Sequence, residues 1–573
     1  MSTRETQEEY SFKSYFVPLT TTKAIHFIVL IGLVIFSNIL FNNFVLEDRA
    51  EILRDPSVQS ITNIPNLFIH QVGGQESIDY YRPLLFTFYD IFYSLFQQNT
   101  FPYHVFQICI QIANTILIFF IFKKFLKINL AFFLSLIFLV HPINEESVVW
   151  ITDLQEVLYM FFGLLSVYLL QRRHIDIKTL FFVNLLLLFS FFSKETGILF
   201  FVVTSLYVYL FKKSKLLLHL SFSFMALMVY VILRLISQTP LKENTVPIMT
   251  LSLSQRMINV PAILFYYIKT FFYPATLVVY HSWVIRTIDF NTFFFPLIID
   301  CFLFFGLSAL CMFVMKRGGD KKLILFFSIW FVIGLLFHLQ IIPLDFTVAD
   351  HFFIFSFVAL MALLGLFFQQ IHIKKTLRNV FIVFAIMILC ALSLRTIVRN
   401  TNWADQSTIL THDEHASPND YLLEEVYSTD LIQQNKINMA LPHVQEAMSL
   451  YPQASDPWNS LGVINFEKGN IKEARRDFQH AIAIDGSYQA YENCGLLEKE
   501  YDSPTNALKF LRIGTTKNLN SWKLWYYRFI VSYKMGNYDE ALLSAKNYFL
   551  LNPTSQSYAI YTHVLNKQPI TLE

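Results

Sequence analysis

The chain has 573 residues, 54% of them hydrophobic and only 15% charged, with a mean hydropathy of +0.45. Soluble proteins carry roughly 25% charged residues, so these values exclude a soluble globular enzyme and a disordered chain. A formal net charge of +2 is too small to point to nucleic acid as a partner, and the five cysteines follow no metal or disulfide spacing.

Taken in chain order, apolar runs occur at 24–43, 103–122, 128–142, 154–171, 178–193, 196–211, 216–236, 292–315, 323–342, 352–371 and 377–397. Most approach the length needed to cross a bilayer core of roughly 30 Å. The first run has no small-residue cleavage pattern after it and reads as a retained span. Basic clusters separate alternate runs: Lys123, Lys124 and Lys127; Arg172, Arg173 and Lys178; Lys212, Lys213 and Lys215; Lys316, Arg317, Lys321 and Lys322; Lys374, Lys375 and Arg378. Eleven spans with a cytoplasmic N-terminus put all five clusters on the cytoplasmic side. The apolar stretch 257–276 then reads as an interfacial or re-entrant helix. This topology sends the C-terminal part outside, to a periplasm or a secretory lumen. The sequence offers no usable Asn-x-Ser/Thr acceptor, which favours a bacterial inner membrane.

Composition turns polar near residue 398. From 405 to 566 the sequence reads as an all-α solenoid of tetratricopeptide type. Trp458, Leu461, Gly462, Ala474, Phe478 and Ala481 have the spacing of one unit, and alanines at 440, 474, 507 and 541 recur every 33 or 34 residues. Units are expected at 456–487, 488–521 and 522–555, with a weaker one at 420–454. Gly469-Asn470 and Gly536-Asn537 mark turns inside the hairpins. Such arrays offer a groove to a peptide or protein.

Acidic residues concentrate in the outer loops. Glu47-Asp48 follows the first span; adjacent carboxylates there can take a proton from a hydroxyl and hold a metal or orient an acceptor. Glu146, Asp153 and Glu156 would share one face if residues 146–156 formed a continuous helix, looking into a cavity at the outer face. Lys194-Glu195 interrupts two apolar runs and is either a neutralised turn or a phosphate grip, with Arg82 a second cation. Asp350-His351 opens another run at the same face. Glu47, Asp48 and His141 are the candidate ligands for a divalent metal. The sequence carries no Gly-rich phosphate loop, no His-Glu-x-x-His and no serine elbow, so an activated substrate would come from the membrane.

Together these segments resemble the transmembrane and tetratricopeptide-repeat O-mannosyltransferase-like family, glycosyltransferases of the multi-spanning GT-C fold. The acidic pair after the first span is matched by Glu47-Asp48, with Glu replacing the family's first Asp. Tyr80-Tyr81-Arg82-Pro83-Leu84 and Lys194-Glu195-Thr196-Gly197 match two further motifs. His141-Pro142-Ile143-Asn144-Glu145-Glu146 matches a third, with Asn144 where the family has a second His, and Ala349-Asp350-His351-Phe352 a fourth, with His351 where it has Arg.

The resemblance implies a GT-C-like membrane domain over 1–398 and a repeat domain over 405–566. It implies an inverting transferase that moves mannose or another hexose from a polyprenyl-phosphate carrier to Ser/Thr of a protein bound by the repeats. It makes Asp48 the base with Glu47 supporting, and puts Arg82, Lys194, Glu195 and His351 around the donor and Glu146, Glu156 and Asp350 in the cavity. A membrane-anchored repeat scaffold without catalysis is the alternative, and a transporter a third.

Overall fold

Hydrocarbon offers backbone N–H and C=O groups no partner, so a lipid-soluble chain must satisfy them internally. The computed structural model describes residues 18–70, 80–238, 246–372, 374–501, 504–519, 521–552 and 554–570. Among these residues every regular element is a helix. Seven helices are long and apolar enough to cross a membrane: Thr21–Ile39, Phe101–Lys123, Ile151–Leu170, Lys213–Ser237, Phe290–Lys316, Asp350–Phe368 and Leu377–Asn402. Four shorter apolar helices accompany them: Pro83–Phe96, Ile128–Val140, Ile177–Ser193 and Glu195–Phe211. The chain is a multi-pass membrane protein.

Burial ranks these helices. The apolar window of Asp350–Phe368 is 83% buried within the protein, against 6% for Leu377–Asn402 and 11% for Phe290–Lys316. The first is therefore central, and the other two turn their apolar surface to lipid. The stretch expected to lie at the interface forms Leu253–Phe272, which starts on a Ser252/Gln255 capping box and contains Pro261. It is not among the helices long and apolar enough to span.

After Asn402 come short antiparallel helix pairs: Tyr421–Gln433 with Ile437–Leu450, Asp456–Glu467 with Ile471–Ile484, Tyr488–Tyr501 with Pro504–Lys517, and Trp522–Lys534 with Tyr538–Leu551, followed by Ser555–Leu565. The pair that reads weakly in the sequence forms like the others. Ala440, Ala474, Ala507 and Ala541 are fully buried. A side chain on Gly462 would strike the Phe478 ring, so the paired helices meet where only hydrogen fits. Gly469 (φ +77°) and Gly536 (φ +74°) turn two hairpins in the left-handed region that glycine enters without a Cβ clash.

The repeats are tied to the membrane region by buried polar contacts. Arg399, in the last long helix, donates to Asp413 at 2.8 Å, and both side chains are about 2% exposed or less. Asp413 also accepts the Val279 N–H at 2.8 Å. Asp420 caps the helix it precedes and accepts both the N–H (2.6 Å) and the hydroxyl (2.7 Å) of Ser282. Segment 277–284, which forms no helix, is thereby clamped between repeats and membrane helices. Its other side is held by Thr347, whose N–H reaches the His281 carbonyl and whose hydroxyl reaches that of Trp283.

Removing one partner of a buried ion pair leaves the other charged and unpaired, at a cost of about 3–5 kcal/mol. Arg399→Met should therefore lower the melting temperature and speed proteolysis between residues 403 and 420. A melting curve and cleavage rate equal to wild type would show that the clamp does not hold the two regions together.

Candidate functional site

The loop after the first helix is built by an enforced turn. Leu46 is held at φ +50°, a conformation that strains a branched side chain, and its N–H donates to Gln406 Oε1 at 2.6 Å. Asp48 closes the turn: one oxygen accepts the Val45 N–H at 3.1 Å, the other the Thr152 N–H at 2.8 Å. Asp48 is 1% exposed. Glu47 is directed instead toward the Tyr280 hydroxyl, 3.3 Å from each carboxylate oxygen.

Glu47 lines a cleft of about 220 Å³ whose walls come from both regions of the chain. The membrane side contributes Arg49, Arg54 and Tyr280; Gln406 and the first repeat helix contribute Glu425, Asp430 and Gln433. Arg54 donates to Gln433 at 3.1 Å, and Arg49 lies 3.8 Å from Asp430. Tyr280, Gln406 and the repeat residues were not candidates on sequence grounds, because nothing in their local pattern marks them. Only the docking of distant segments brings them to Glu47.

The second cluster lies one peptide from Asp48's anchor at Thr152. Residues 146–156 do not form the continuous helix expected from their spacing. A four-residue turn, Glu146–Val149, ends at an extended Trp150 (ψ 119°), a 3-10 turn follows at Ile151–Asp153, and Leu154–Leu170 resumes the helix. The break is held by donors that take the released carbonyls. Gln107 reaches Ser147 O (2.9 Å) and Trp150 O (2.7 Å), and the Tyr89 hydroxyl reaches Thr152 O (2.9 Å).

The break nonetheless brings the acidic side chains together, around His351. His351 Nδ1 lies 3.3 Å from Glu146 Oε1 and 3.2 Å from Asp153 Oδ2, and all three side chains are buried. Glu156 Oε1 stands 3.7 Å from His351 Nε2 and is paired with Lys194. Arg82 is paired with Glu195 at 2.8 Å and donates to Gln155 as well. Both expected phosphate-binding cations thus have carboxylate partners in this state. Asp350 accepts the Tyr266 hydroxyl at 2.6 Å.

The three metal ligands expected from the sequence, Glu47, Asp48 and His141, do not assemble. Asp48 is engaged by backbone N–H groups, and His141 Nε2 lies 2.9 Å from the Phe271 carbonyl with its ring stacked on Phe271. Among the described residues, the group with metal-holding spacing is Glu146, Asp153 and His351, whose ligand atoms lie within 4.8 Å of one another. Asn144, where the family pattern has His, donates to the Phe138 carbonyl at 2.9 Å and so finishes the preceding helix.

No family model matches the chain. A protein O-mannosyl-transferase of Caenorhabditis elegans is 30% identical over 183 residues, covering 30% of this chain and 26% of that protein. The chain therefore spans about a quarter of the length of the curated relative it matches. Among solved structures, YrrB, a TPR protein with an unusual peptide-binding site, is 18% identical over 28% of this chain and 82% of its own, with a TM-score of 0.23. Pseudomonas aeruginosa PilF is 16% identical over 30% of this chain and 80% of its own (TM-score 0.26). The Cut9-Hcn1 structure is 13% identical over 84% of this chain and 90% of its own (TM-score 0.27).

Asp48 supplies a pH test of the loop. Burial, opposed by its N–H partners, raises its pKa from 3.8 to about 7. Between those values the folded chain keeps a proton that the unfolded chain releases, so this group's contribution to stability falls as pH rises toward 7 and is constant above it. Wild type should lose thermal stability relative to Asp48→Asn across that window. Parallel melting profiles for the two proteins would contradict it.

Proposed function

We propose that the chain is a membrane glycosyltransferase that moves a hexose, mannose or a relative of it, from a polyprenyl-phosphate carrier to Ser or Thr hydroxyls of a protein. The observation that carries this reading is the Glu47 cleft. It sets a carboxylate at the end of a membrane helix, in a space whose far wall belongs to a repeat that can hold a polypeptide. The partial likeness to a protein O-mannosyl-transferase supports the same reaction class. In this reading residues 1–398 form the catalytic domain and 405–566 the acceptor-binding repeats of tetratricopeptide type. The N-terminus is cytoplasmic and the repeats face the periplasm or lumen.

The donor enters between helices with its phosphate at the outer rim. Lys194 and Arg82 exchange their carboxylate partners, Glu156 and Glu195, for phosphate oxygens. The acceptor hydroxyl approaches through the cleft and its oxygen attacks the anomeric carbon. The bond from that carbon to the phosphate oxygen breaks, polyprenyl phosphate leaves and the configuration inverts. Glu47 accepts the hydroxyl proton. Asp48, held by Val45 and Thr152, fixes the turn that aims Glu47 and acts as a positioning residue. This reverses the order implied by the family resemblance, since Asp48 is closed off and Glu47 lines the cleft.

Protein reconstituted in vesicles with polyprenyl-phosphate mannose and a Ser/Thr peptide tests the chemistry. General-base catalysis contributes about 10²–10⁴-fold, so Glu47→Gln should slow transfer by that factor without changing donor affinity. Near wild-type transfer by both Glu47→Gln and Asp48→Asn would remove the base from this loop. If the wild type transfers no sugar from any polyprenyl-phosphate donor, the scaffold reading takes its place.

The donor grip and the topology have separate tests. Lys194→Ala should raise the apparent KM for the lipid donor and leave that for the peptide unchanged. An unchanged donor KM would free Lys194 of this role. Protease added outside sealed, correctly oriented cells should reach the repeats; cleavage only from the cytoplasmic side would invert the topology.

A further inference from the structure

We propose that Glu146, Asp153 and His351 form a binding site for one first-row divalent cation of the manganese or zinc kind, at the outer end of the central helix Asp350–Phe368. The inference stands apart from the transferase reading. Metal-independent sugar transfer would leave it intact, and so would a failure to transfer sugar.

The first support is that three buried polar atoms converge within 4.8 Å of one another. Glu146 Oε1, Asp153 Oδ2 and His351 Nδ1 are buried, and none has a hydrogen-bond partner. Buried polar atoms are paired in the great majority of proteins, so three converging orphans mark a place that a ligand completes. The spacing suits a small cation. Ligands at metal distances of about 2.0–2.2 Å stand roughly 3–3.6 Å apart around a tetrahedral or octahedral centre. His351 Nδ1 is 3.3 Å from one carboxylate oxygen and 3.2 Å from the other.

Charge points the same way. Three carboxylates, Glu146, Asp153 and Glu156, surround His351, and Lys194 answers only one of them through Glu156. Two further cations act on the cluster, and both have carboxylates of their own: Arg82 is paired with Glu195 and Arg399 with Asp413. Glu146 and Asp153 are therefore left without a cation of their own, and two carboxylates are the complement of a divalent ion. Glu156 lies 3.7 Å from Nε2, too far to accept a hydrogen bond but on the side that favours a proton there. That tautomer leaves the Nδ1 lone pair facing the two carboxylates, the arrangement by which outer groups orient a metal-bound histidine.

The donor set selects the ion. Imidazole with two carboxylates suits manganese, zinc or ferrous iron, whereas calcium and magnesium prefer oxygen alone. Three protein ligands leave coordination positions open.

The sequence shows why this centre was hidden. Helical spacing puts Glu146 and Asp153 on one face only if the helix continues, whereas it is broken between them, and His351 lies almost 200 residues further on. A resemblance that reads position 351 as an altered phosphate contact directs attention away from a ligand.

Full-length protein in detergent, stripped with a chelator and dialysed, would be titrated with MnCl2 while free Mn²⁺ is counted by electron paramagnetic resonance. One Mn²⁺ per chain should bind, be displaced by Zn²⁺ and resist equimolar Mg²⁺. Glu146→Gln, Asp153→Asn and His351→Ala should each weaken binding at least about tenfold, while Glu540→Gln in the last hairpin binds as wild type. Absence of stoichiometric binding by the wild type overturns the proposal, as does binding that survives all three substitutions. A variant that fails to fold is replaced by a wild-type measurement: Mn²⁺ and Zn²⁺ should raise its melting temperature where Mg²⁺ does not, and no shift with either ion counts against the site.

Discussion

The Arg399–Asp413 pair is the joint on which the two halves of this protein turn. Its charges are almost fully withdrawn from water, a state that costs several kcal/mol per ion unless geometry and further hydrogen bonds offset it. Here they do: Asp413 has a second donor in the Val279 backbone, and Arg399 also faces the Trp403 ring. The pair links the last membrane helix, the first helix after it and the irregular segment 277–284 in one contact. Asp420 repeats the device seven residues on, using Ser282. Buried carboxylates that accept backbone N–H groups recur at this seam, and each fixes the loop whose amide it serves.

Asp48 is the third such carboxylate, and it connects two chemical environments. Its bond to Thr152 couples the Glu47 turn to the broken helix, and Asp153, the next residue, belongs to the cluster around His351. Displacement of the turn would therefore be felt in the cluster through one peptide unit. The cleft is open to water and bounded by charged and amide side chains, whereas the cluster is closed and short of hydrogen bonds. One environment suits a polar acceptor, the other an ion.

The helix-pair array was legible because its constraint is local and periodic. The alanines at 440, 474, 507 and 541 recur because hairpin helices touch there, and a period survives in a single sequence. Seven of the eleven expected spans form helices long and apolar enough to cross a membrane, and these were legible from length and apolarity. The site was not, for three physical reasons. Spacing places Glu146, Asp153 and Glu156 on one face only if the helix continues, and Gln107 and Tyr89, far away in the chain, stabilise its interruption. Adjacent residues Glu47 and Asp48 look equivalent, yet the left-handed turn at Leu46 sends one to the cleft and the other into the interior. Tyr280, Glu425 and Asp430 carry no signal until the repeats dock.

That docking gives the first hairpin a status the later ones lack. Its residues Glu425, Asp430 and Gln433 are the far wall of the Glu47 cleft, so the cleft exists only in the joined molecule and belongs to neither half. The array can lengthen, shorten or diversify from its distal end without disturbing that wall, because each helix pair touches only its neighbours. Change at the proximal pair has to be matched across the seam by Arg49, Arg54 and Tyr280. Constraint on such a protein is divided along its length, with the proximal hairpin locked to the membrane half and the distal hairpins packed against one another.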